Sequence, residues 1–366
     1  MSPGSSVSRS PDRRLILHCD LDAFYPSCEI KRNPSFAGKP LIVGADPRAL
    51  HVRGVVMSCS YEARKFGVRS GMPISQAYKL CPQGIYVPPD FELYGEVSDR
   101  AMNVLRKFAD KFEQTSIDEA YMDVGVRCET YDQAIELAKD VKAALKEAEK
   151  LTVSVGIAPN KSIAKIASDT KKPDGLTIVR PDEVRAFLEP LSVGKISGVG
   201  KKTTIYLEER GIQTIGQLSK VPAKSLTDWF GKGGVWLWGI ANGIEESPVE
   251  ERPLRKSISV EQTFEQDIQN KGVVREALDA LIKEVHERLL GEGLLFRTVG
   301  IKVRFEGFQT FTREKTHTGY VDDQGVVHDY VNGLFREFEK DRRRIRLIGA
   351  RLSDLKPAEG KQTHLG

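Results

Sequence analysis

A run of apolar residues, Leu15-Ile16-Leu17, leads within a few positions to two aspartates, Asp20 and Asp22. Apolar residues on successive positions describe a strand buried on both faces, so carboxylates at its end constrain what can be built around it. A second acidic pair, Asp118-Glu119, occupies a tight turn between two short strand-like segments, Lys111–Thr115 and Ala120–Val124. A β-sheet can bring the two places together despite their separation in sequence. Clustered carboxylates repel one another unless a proton or a cation intervenes. Mg²⁺ favours oxygen ligands and keeps positions open for water and phosphate oxygens. Asp20, Asp118 and Glu119 are therefore candidate metal ligands. The plainer alternative is that they are ordinary strand-end and turn acids.

The surrounding pattern supplies a sheet. Leu15–Asp22 reads as a strand, Phe91–Ala109 as an amphipathic helix, and Tyr131–Lys150 as a helix rich in Ala, Lys, Glu and Leu. Leu151–Ile157 reads as a strand, Asn160–Asp169 as a helix behind Pro159, and Leu176–Val179 as a further strand. This order, with an insertion after the first strand, predicts a split βαβ, ferredoxin-like sheet. The insertion, residues 34–89, is rich in turn signals, with a strand at Val55–Ser60 and a helix at Tyr61–Phe66. Residues 182–243 read as wholly helical. Glu245–Pro253 carries acids and two prolines and reads as a linker. The last unit repeats a β-α-β-β-α-β order: strands Ser257–Phe264, Thr298–Phe305, Phe308–Thr316 and Ile345–Leu355, with helices Gly272–Leu290 and Tyr330–Lys340. The fold class is α+β.

At 366 residues the chain has room for two to four compact units. No apolar run is long enough to cross a bilayer, and no secretory leader is evident. The five cysteines are scattered, without a C-x-x-C pair, which argues against a disulfide framework or a zinc ribbon and points to a reducing interior. The net charge of +4 is too weak to name a partner. Local charge is more telling: Lys340, Arg342, Arg343, Arg344, Arg346 and Arg351 stand together with a single acid, Asp341.

Four motifs follow one another in order: Asp20-Leu21-Asp22-Ala23-Phe24-Tyr25, then Tyr61-Glu62-Ala63-Arg64-Lys65-Phe66-Gly67-Val68, then Ser116-Ile117-Asp118-Glu119-Ala120-Tyr121, then Lys172-Pro173-Asp174-Gly175. This string closely resembles the Y-family, translesion DNA polymerases of the polymerase IV class, and the resemblance runs from about Leu15 to Leu355. It implies a right-hand polymerase. Residues 1–23 and 90–182 would be the palm, with 1–14 a flexible lead-in. Residues 24–89 would be the fingers, 183–244 the thumb, 245–254 a linker, 255–355 the little finger and 356–366 a tail.

The resemblance also implies site residues. Asp20, Asp118 and Glu119 fall on metal-ligand positions, with the Leu21 main-chain carbonyl added, for two Mg²⁺ ions that Mn²⁺ can replace. Asp22 lies in the motif as a support for the turn. Phe24, Tyr25, Ser58, Tyr61, Arg64 and Lys172 fall on nucleotide-binding positions, and Tyr25 on the steric gate, where an aromatic ring takes the space of a ribose 2′-hydroxyl. The implied activity is template-directed addition of dNTPs to a primer 3′ end by two-metal phosphoryl transfer. It would be specialised for damaged template and, since these domains take up the chain, without proofreading.

For DNA, Ile196-Ser197-Gly198-Val199-Gly200-Lys201 has the form of a helix-hairpin-helix turn, in which Gly198, Gly200 and Lys201 approach phosphate. In the last unit, Val299, Ile301, Val303 and Phe305 alternate with Thr298, Gly300, Lys302 and Arg304, and Ile348, Ala350 and Leu352 alternate with Gly349, Arg351 and Ser353. One face is apolar and the other carries Lys302, Arg304 and Arg351 for phosphates. The expected partners are primer-template DNA and dNTP, with no membrane, for a monomer in the cytoplasm at the nucleoid. Gln362-Thr363-His364-Leu365 resembles the opening of a sliding-clamp motif that stops at Gly366 without its aromatic pair, the expectation being a truncated clamp-binding peptide. A nucleotide cyclase, which can share such a palm, and a non-catalytic DNA-binding scaffold are the alternatives; neither accounts for all the motifs.

Overall fold

The computed structural model describes residues 14–48, 53–251 and 254–358. The chain forms two units: one from the described parts of Met1–Val43, Met57–Ser70 and Gln83–Arg252, the other from those of Gly44–Val56, Gly71–Pro82 and Pro253–Gly366. The expected lead-in, up to residue 13, and the clamp-like Gln362–Leu365 lie outside the described residues.

In chain order the elements begin with β1 (Ile16–Leu21), α1 (Phe24–Arg32), β2 (Leu41–Gly44), β3 (Val56–Cys59), α2 (Tyr61–Lys65), α3 (Ile74–Leu80) and β4 (Ile85–Val87). They continue with α4 (Phe91–Arg106), β5 (Lys111–Gln114), β6 (Glu119–Asp123), α5 (Tyr131–Glu149), β7 (Val153–Ala158), α6 (Lys161–Ser168) and β8 (Leu176–Ile178). A five-stranded sheet runs β5-β6-β1-β7-β8. β1 is its centre, antiparallel to β6 on one side and to β7 on the other.

Every residue of β1 is buried because both faces of the sheet are covered. Leu15, Leu17, Cys19 and Leu21 pack with Tyr94, Val97, Ala101 and Leu105 of α4 and with Ala138, Val141 and Leu145 of α5. Ile16, on the opposite face, packs with Ile163, Ile166 and Ala167 of α6. Each large aliphatic buried in this way contributes about 1.5–3 kcal/mol. The strand's alternation therefore puts His18 and Asp20 on the α6 face with Ile16. α6 lies very close to the sheet. A Cβ on Gly156 of β7 would stand 2.0 Å from the Ala164 carbonyl and 2.5 Å from the Ser168 amide. α5 and α6 are well started: Thr130 and Gln133 form a capping box, and Asn160 Oδ1 accepts from the Ile163 amide.

The expected turn-rich insertion holds a three-stranded sheet, β3-β2-β4, of which only β3 was anticipated, together with α3, and the unanticipated α1 precedes it. These elements are too short for their periodicity to show. Beyond β8 come α7 (Val184–Leu188), α8 (Lys201–Glu208), α9 (Ile215–Leu218), α10 (Ala223–Phe230) and α11 (Lys232–Ala241), packed around Leu207, Ile215, Leu218, Leu226 and Leu237.

The second unit is built on β9 (Ser257–Ile268), α12 (Lys271–Gly291), β10 (Leu294–Phe305), β11 (Thr310–Val321), α13 (Gln324–Glu339) and β12 (Ile345–Pro357). Its sheet runs β11-β10-β12-β9. Val299, Ile301, Val303 and Phe305 are buried with Val274, Leu278 and Leu281 of α12 and with Val331 and Phe335 of α13. The opposite faces of these strands carry the polar residues. α13 starts at Gln324, before the expected Tyr330, because Asp323 caps it through the Gly325 amide and Val327 is buried one turn in. Within the same unit Arg53 Nη1 donates to the Phe264 carbonyl at 3.1 Å and to Asp267 Oδ1 at 2.5 Å.

Candidate active site

The sheet register carries the acids together. Asp20 pairs with Glu119 across β1 and β6, and the Leu21 amide donates to the Asp118 carbonyl at 2.9 Å. Immediately after β1 the chain turns into α1 through Ala23, whose φ of 42° is a left-handed conformation unusual for a residue with a Cβ. That turn sets Phe24 and Tyr25 beside the strand end. The result is a cleft of about 310 Å³ lined by Asp20, Leu21, Ala23, Phe24, Tyr25, Met57, Ser58, Tyr61, Arg64, Ser70, Ile117, Asp118, Glu119 and Lys172. All ten residues expected at the metal and nucleotide positions line this one cleft.

Within it, cations neutralise the acids. Lys172 Nζ stands 2.6 Å from Asp20 Oδ2 and 2.7 Å from Asp169 Oδ1, and Lys165 Nζ stands 2.6 Å from Glu119 Oε1. Burial pushes the Asp20 carboxyl up, with Glu119 adding to the push and Lys172 opposing it. Burial likewise pushes Asp118 up, against a hydrogen bond that Ser116 Oγ donates to Asp118 Oδ1 at 2.6 Å. Burial would raise Glu119 too, but its contacts with His18, Asp20 and Lys165 hold it below the usual carboxylate range. For Lys172, burial works against the charge while Asp20 and Asp169 hold it protonated. Among the described residues no three acids, histidines or cysteines are already gathered around one coordination point. The donor set nevertheless fits a divalent cation: three carboxylates and a backbone carbonyl, all hard oxygen ligands, in a place that already requires positive charge.

Asp22 is buried apart from this lining. Its Oδ1 accepts from Ser154 Oγ at 2.8 Å and from Tyr61 Oη at 3.2 Å, and its Oδ2 accepts from the Asp174 amide at 2.8 Å. One carboxylate thus ties the start of α2 to the turn that carries Lys172. Tyr61 opens α2 behind the Ser60 cap, and the Arg64 guanidinium lies over the Tyr61 ring at 4.5 Å. The Tyr25 ring stacks on Tyr94 at 4.3 Å and meets Phe91 edge-on at 6.4 Å, while Tyr94 Oη donates to Glu29. The ring is therefore held on one side by a fully buried neighbour.

Lys165, Ser116, Ser154 and His18 belong to the site's surroundings and were not singled out from sequence. His18 is fully buried. Ser168 Oγ donates to the Lys165 carbonyl and so accepts from His18 Nδ1, at 2.8 Å, which leaves His18 Nε2 facing Glu119 at 3.8 Å, beyond hydrogen-bond reach. Ser116 opens the Ser116–Tyr121 motif, though its bond to Asp118 was not foreseen; the other three stand in no recognisable local motif, and only the register and the close approach of α6 bring them here.

The candidate DNA-contacting residues lie elsewhere. Gly198 has φ 93°, and a Cβ on it would meet the Trp236 ring at 3.1 Å, so this position requires glycine. Gly200 caps α8 without a side-chain bond, and Lys201 is exposed at the first position of that helix, leaving its leading amides open. In the second unit Lys302, Arg304 and Arg351 share the face away from the helices. Lys302 is ion-paired with Glu261, Arg351 Nη1 stands 3.4 Å from Glu314 Oε1, and Arg304 Nε donates to Thr310 Oγ1 at 2.8 Å. The cations were legible as an alternating pattern; their acidic neighbours on β9 and β11 were not.

Comparison with known proteins gives a consistent picture. The sequence model of the impB/mucB/samB family matches residues 19–169, and that of the family's C-terminal domain matches residues 255–365. The chain is 47% identical to a DNA polymerase IV of Methanoculleus marisnigri, over 93% of this chain and 94% of that one. It is 41% identical to DNA polymerase IV 2 of Methanosarcina mazei, over 99% and 98%. Among solved structures, a Y-family DNA polymerase chimera of Dbh and Dpo4 superposes with a TM-score of 0.85 at 34% identity, covering 94% of this chain and all of that one. An insertion ternary complex of Dbh DNA polymerase superposes with a TM-score of 0.68 at 32% identity, with the same coverage.

Proposed function

The chain belongs to the Y family of DNA polymerases, in the polymerase IV class, and is a translesion, DNA-directed DNA polymerase; from that premise we propose how its own residues carry the reaction. The reading rests on one observation: the register that pairs Asp20 with Glu119 opens the same cleft onto Tyr61, Arg64 and Lys172. Asp20, Asp118, Glu119 and the Leu21 carbonyl would hold two divalent cations, Mg²⁺ or Mn²⁺ in its place. When bound, these lower the pKa of the primer 3′-hydroxyl and neutralise the departing pyrophosphate.

The chain's own donors do the rest. Arg64 presents a planar fork that can grip two phosphate oxygens, Lys172 a point charge, and Tyr61 and Ser58 hydroxyls, so the triphosphate meets fixed donors and is held in line for attack. Lys172 then exchanges Asp20 for phosphate as its partner. Phe24 and Tyr25 form the sugar side of the cleft, and the braced Tyr25 ring excludes a 2′-hydroxyl. Gly198, Gly200 and Lys201 receive a backbone phosphate at the α8 amides, and Lys302, Arg304 and Arg351 receive phosphates without reading bases.

In hand terms, residues up to 23 and 90–182 act as palm, 24–89 as fingers, 183–244 as thumb, 245–254 as linker and 255–355 as little finger. We read the enzyme as a monomer acting on primer-template DNA at the nucleoid, without proofreading, and as a partner of a sliding clamp.

Counting bound Mn²⁺ by electron paramagnetic resonance, in a complex with primer-template and a non-hydrolysable dNTP, tests the site assignment. Two ions per chain are expected, falling in Asp118→Asn and Glu119→Gln. A count of one or none in the intact protein, or two in both variants, contradicts it.

A further inference from the structure

The face of the second unit that carries Lys302 and Arg351 also carries two glutamates, and each is seated in the same way. In one row across the strands, Gly300 of β10 stands between Glu314 of β11 and Arg351 of β12. In a neighbouring row, Gly349 of β12 stands between Lys302 of β10 and Glu261 of β9. A Cβ on Gly300 would stand 3.1 Å from Glu314 Cγ, and one on Gly349 would stand 2.7 Å from Glu261 Cγ. The glutamate stems therefore lie across the glycines, which are buried beneath them, and the carboxylates reach over to the cations on the far side. A side chain at either glycine would block that reach. Of Lys302, Arg304 and Arg351, Arg304 alone has a hydroxyl rather than a carboxylate partner among the described residues.

Exposed pairs of this kind add little to stability, so holding the sheet together is a poor account of them. Their effect on an arriving polyanion is larger in consequence. Resting on the reading of this face as a DNA contact, we propose that Glu261 and Glu314 are built-in competitors of phosphate that set the strength of the DNA grip. A phosphate reaching Lys302 or Arg351 must replace a carboxylate already there, so each contact exchanges one anion for another and yields less than a contact to a free cation. Added salt screens the internal pair together with the phosphate contact, so the salt dependence of binding is flattened as well. The device holds the enzyme to a loose grip on duplex of any sequence, suited to short stretches of synthesis.

The test is the affinity of the full chain for a primer-template duplex over a salt series. Glu261→Gln/Glu314→Gln keeps both stems over their glycines while removing the charges. The double variant is expected to bind roughly tenfold more tightly, with a log–log salt slope steeper by about one to two, and to add more nucleotides per encounter. Lys302→Met/Arg351→Met, measured beside it, is expected to weaken binding. If the methionine variant binds as the parent does, the DNA-face reading fails and the inference falls with it. If the methionine variant weakens binding but the glutamine variant binds no more tightly than the parent, with an unchanged slope, the competitor role alone is overturned. A thermal melt of each single glutamine variant separates a lost fold from a changed grip; a melt lowered by many degrees in both would make the glutamates structural and also overturn the inference.

Discussion

Asp22 accepts hydrogen bonds from Ser154, Tyr61 and the Asp174 amide, so it braces two walls of the cleft, the one carrying Tyr61 and the one carrying Lys172. Asp22→Asn removes an acceptor and places an amide against the Asp174 N–H or the two hydroxyls, leaving buried donors opposed at a cost of about 1–3 kcal/mol. We predict that steady-state kinetics of this variant show KM for dNTP raised roughly tenfold with a smaller fall in kcat, the pattern of lost binding; an unchanged KM would show that the brace is irrelevant to nucleotide binding. Tyr25→Ala removes the ring that Tyr94 supports. Discrimination between dCTP and CTP is expected to drop on the order of a hundredfold or more, and equal discrimination in the variant would refute the steric gate. At this scale the gathering of the acids was legible, because carboxylates closing an apolar strand are informative residue types in an informative place; Phe24 and Tyr25 were singled out only through the family motif that contains them. Lys165 was not, since one lysine on a helix of alternating character looks like any solvated lysine until α6 is seen against Glu119.

Gly156 decides how α6 meets the sheet. It pairs with His18 on β1, and its missing side chain lets the Ala164 carbonyl lie where a Cβ would be. Gly156→Ala must push α6 outward, carrying Lys165 and Ser168 from Glu119 and His18. A loss of about 1–3 kcal/mol is expected in denaturant melts, together with a fall in activity; a melt equal to the parent's would mean that α6 docks with slack. The helices α4, α5 and α12 were legible because each is long enough to display its period, whereas β2, β4 and α3 are brief and take their form from their neighbours. The basic run at Lys340–Arg351 reads as one patch but is divided by the start of β12. Arg343 is clamped to Asp341 and lies over Phe305 at 4.1 Å, and Arg346 covers Phe308. The Arg343 guanidinium holds the Asp341 carboxyl down to about 2. A depressed carboxyl contributes stability above its unfolded pKa, near 4, and loses it as pH falls through the folded value. Asp341→Asn should therefore melt below the parent near pH 6 and converge with it between about pH 4 and 2; a constant gap across that range would exclude the pairing as the cause.

For the molecule as a whole, the α+β class and the family were readable before any coordinates, since four motifs in a fixed order leave few alternatives. What required the structure was how the chain neutralises itself: lysines on the acids of the cleft, and glutamates on the cations of the second sheet. Both arrangements are pairings across separate elements, which no window along the sequence displays. The central claim is that Asp20, Asp118 and Glu119 form one catalytic metal site in a DNA-directed polymerase. It is tested most directly by primer extension on a defined template with Mg²⁺ and dNTPs, comparing the parent with Asp118→Ala/Glu119→Ala, with duplex affinity measured on both. Template-directed extension by the parent, reduced about a thousandfold or more in a variant that still binds the duplex, is the predicted result. Extension that survives in the double variant would contradict it.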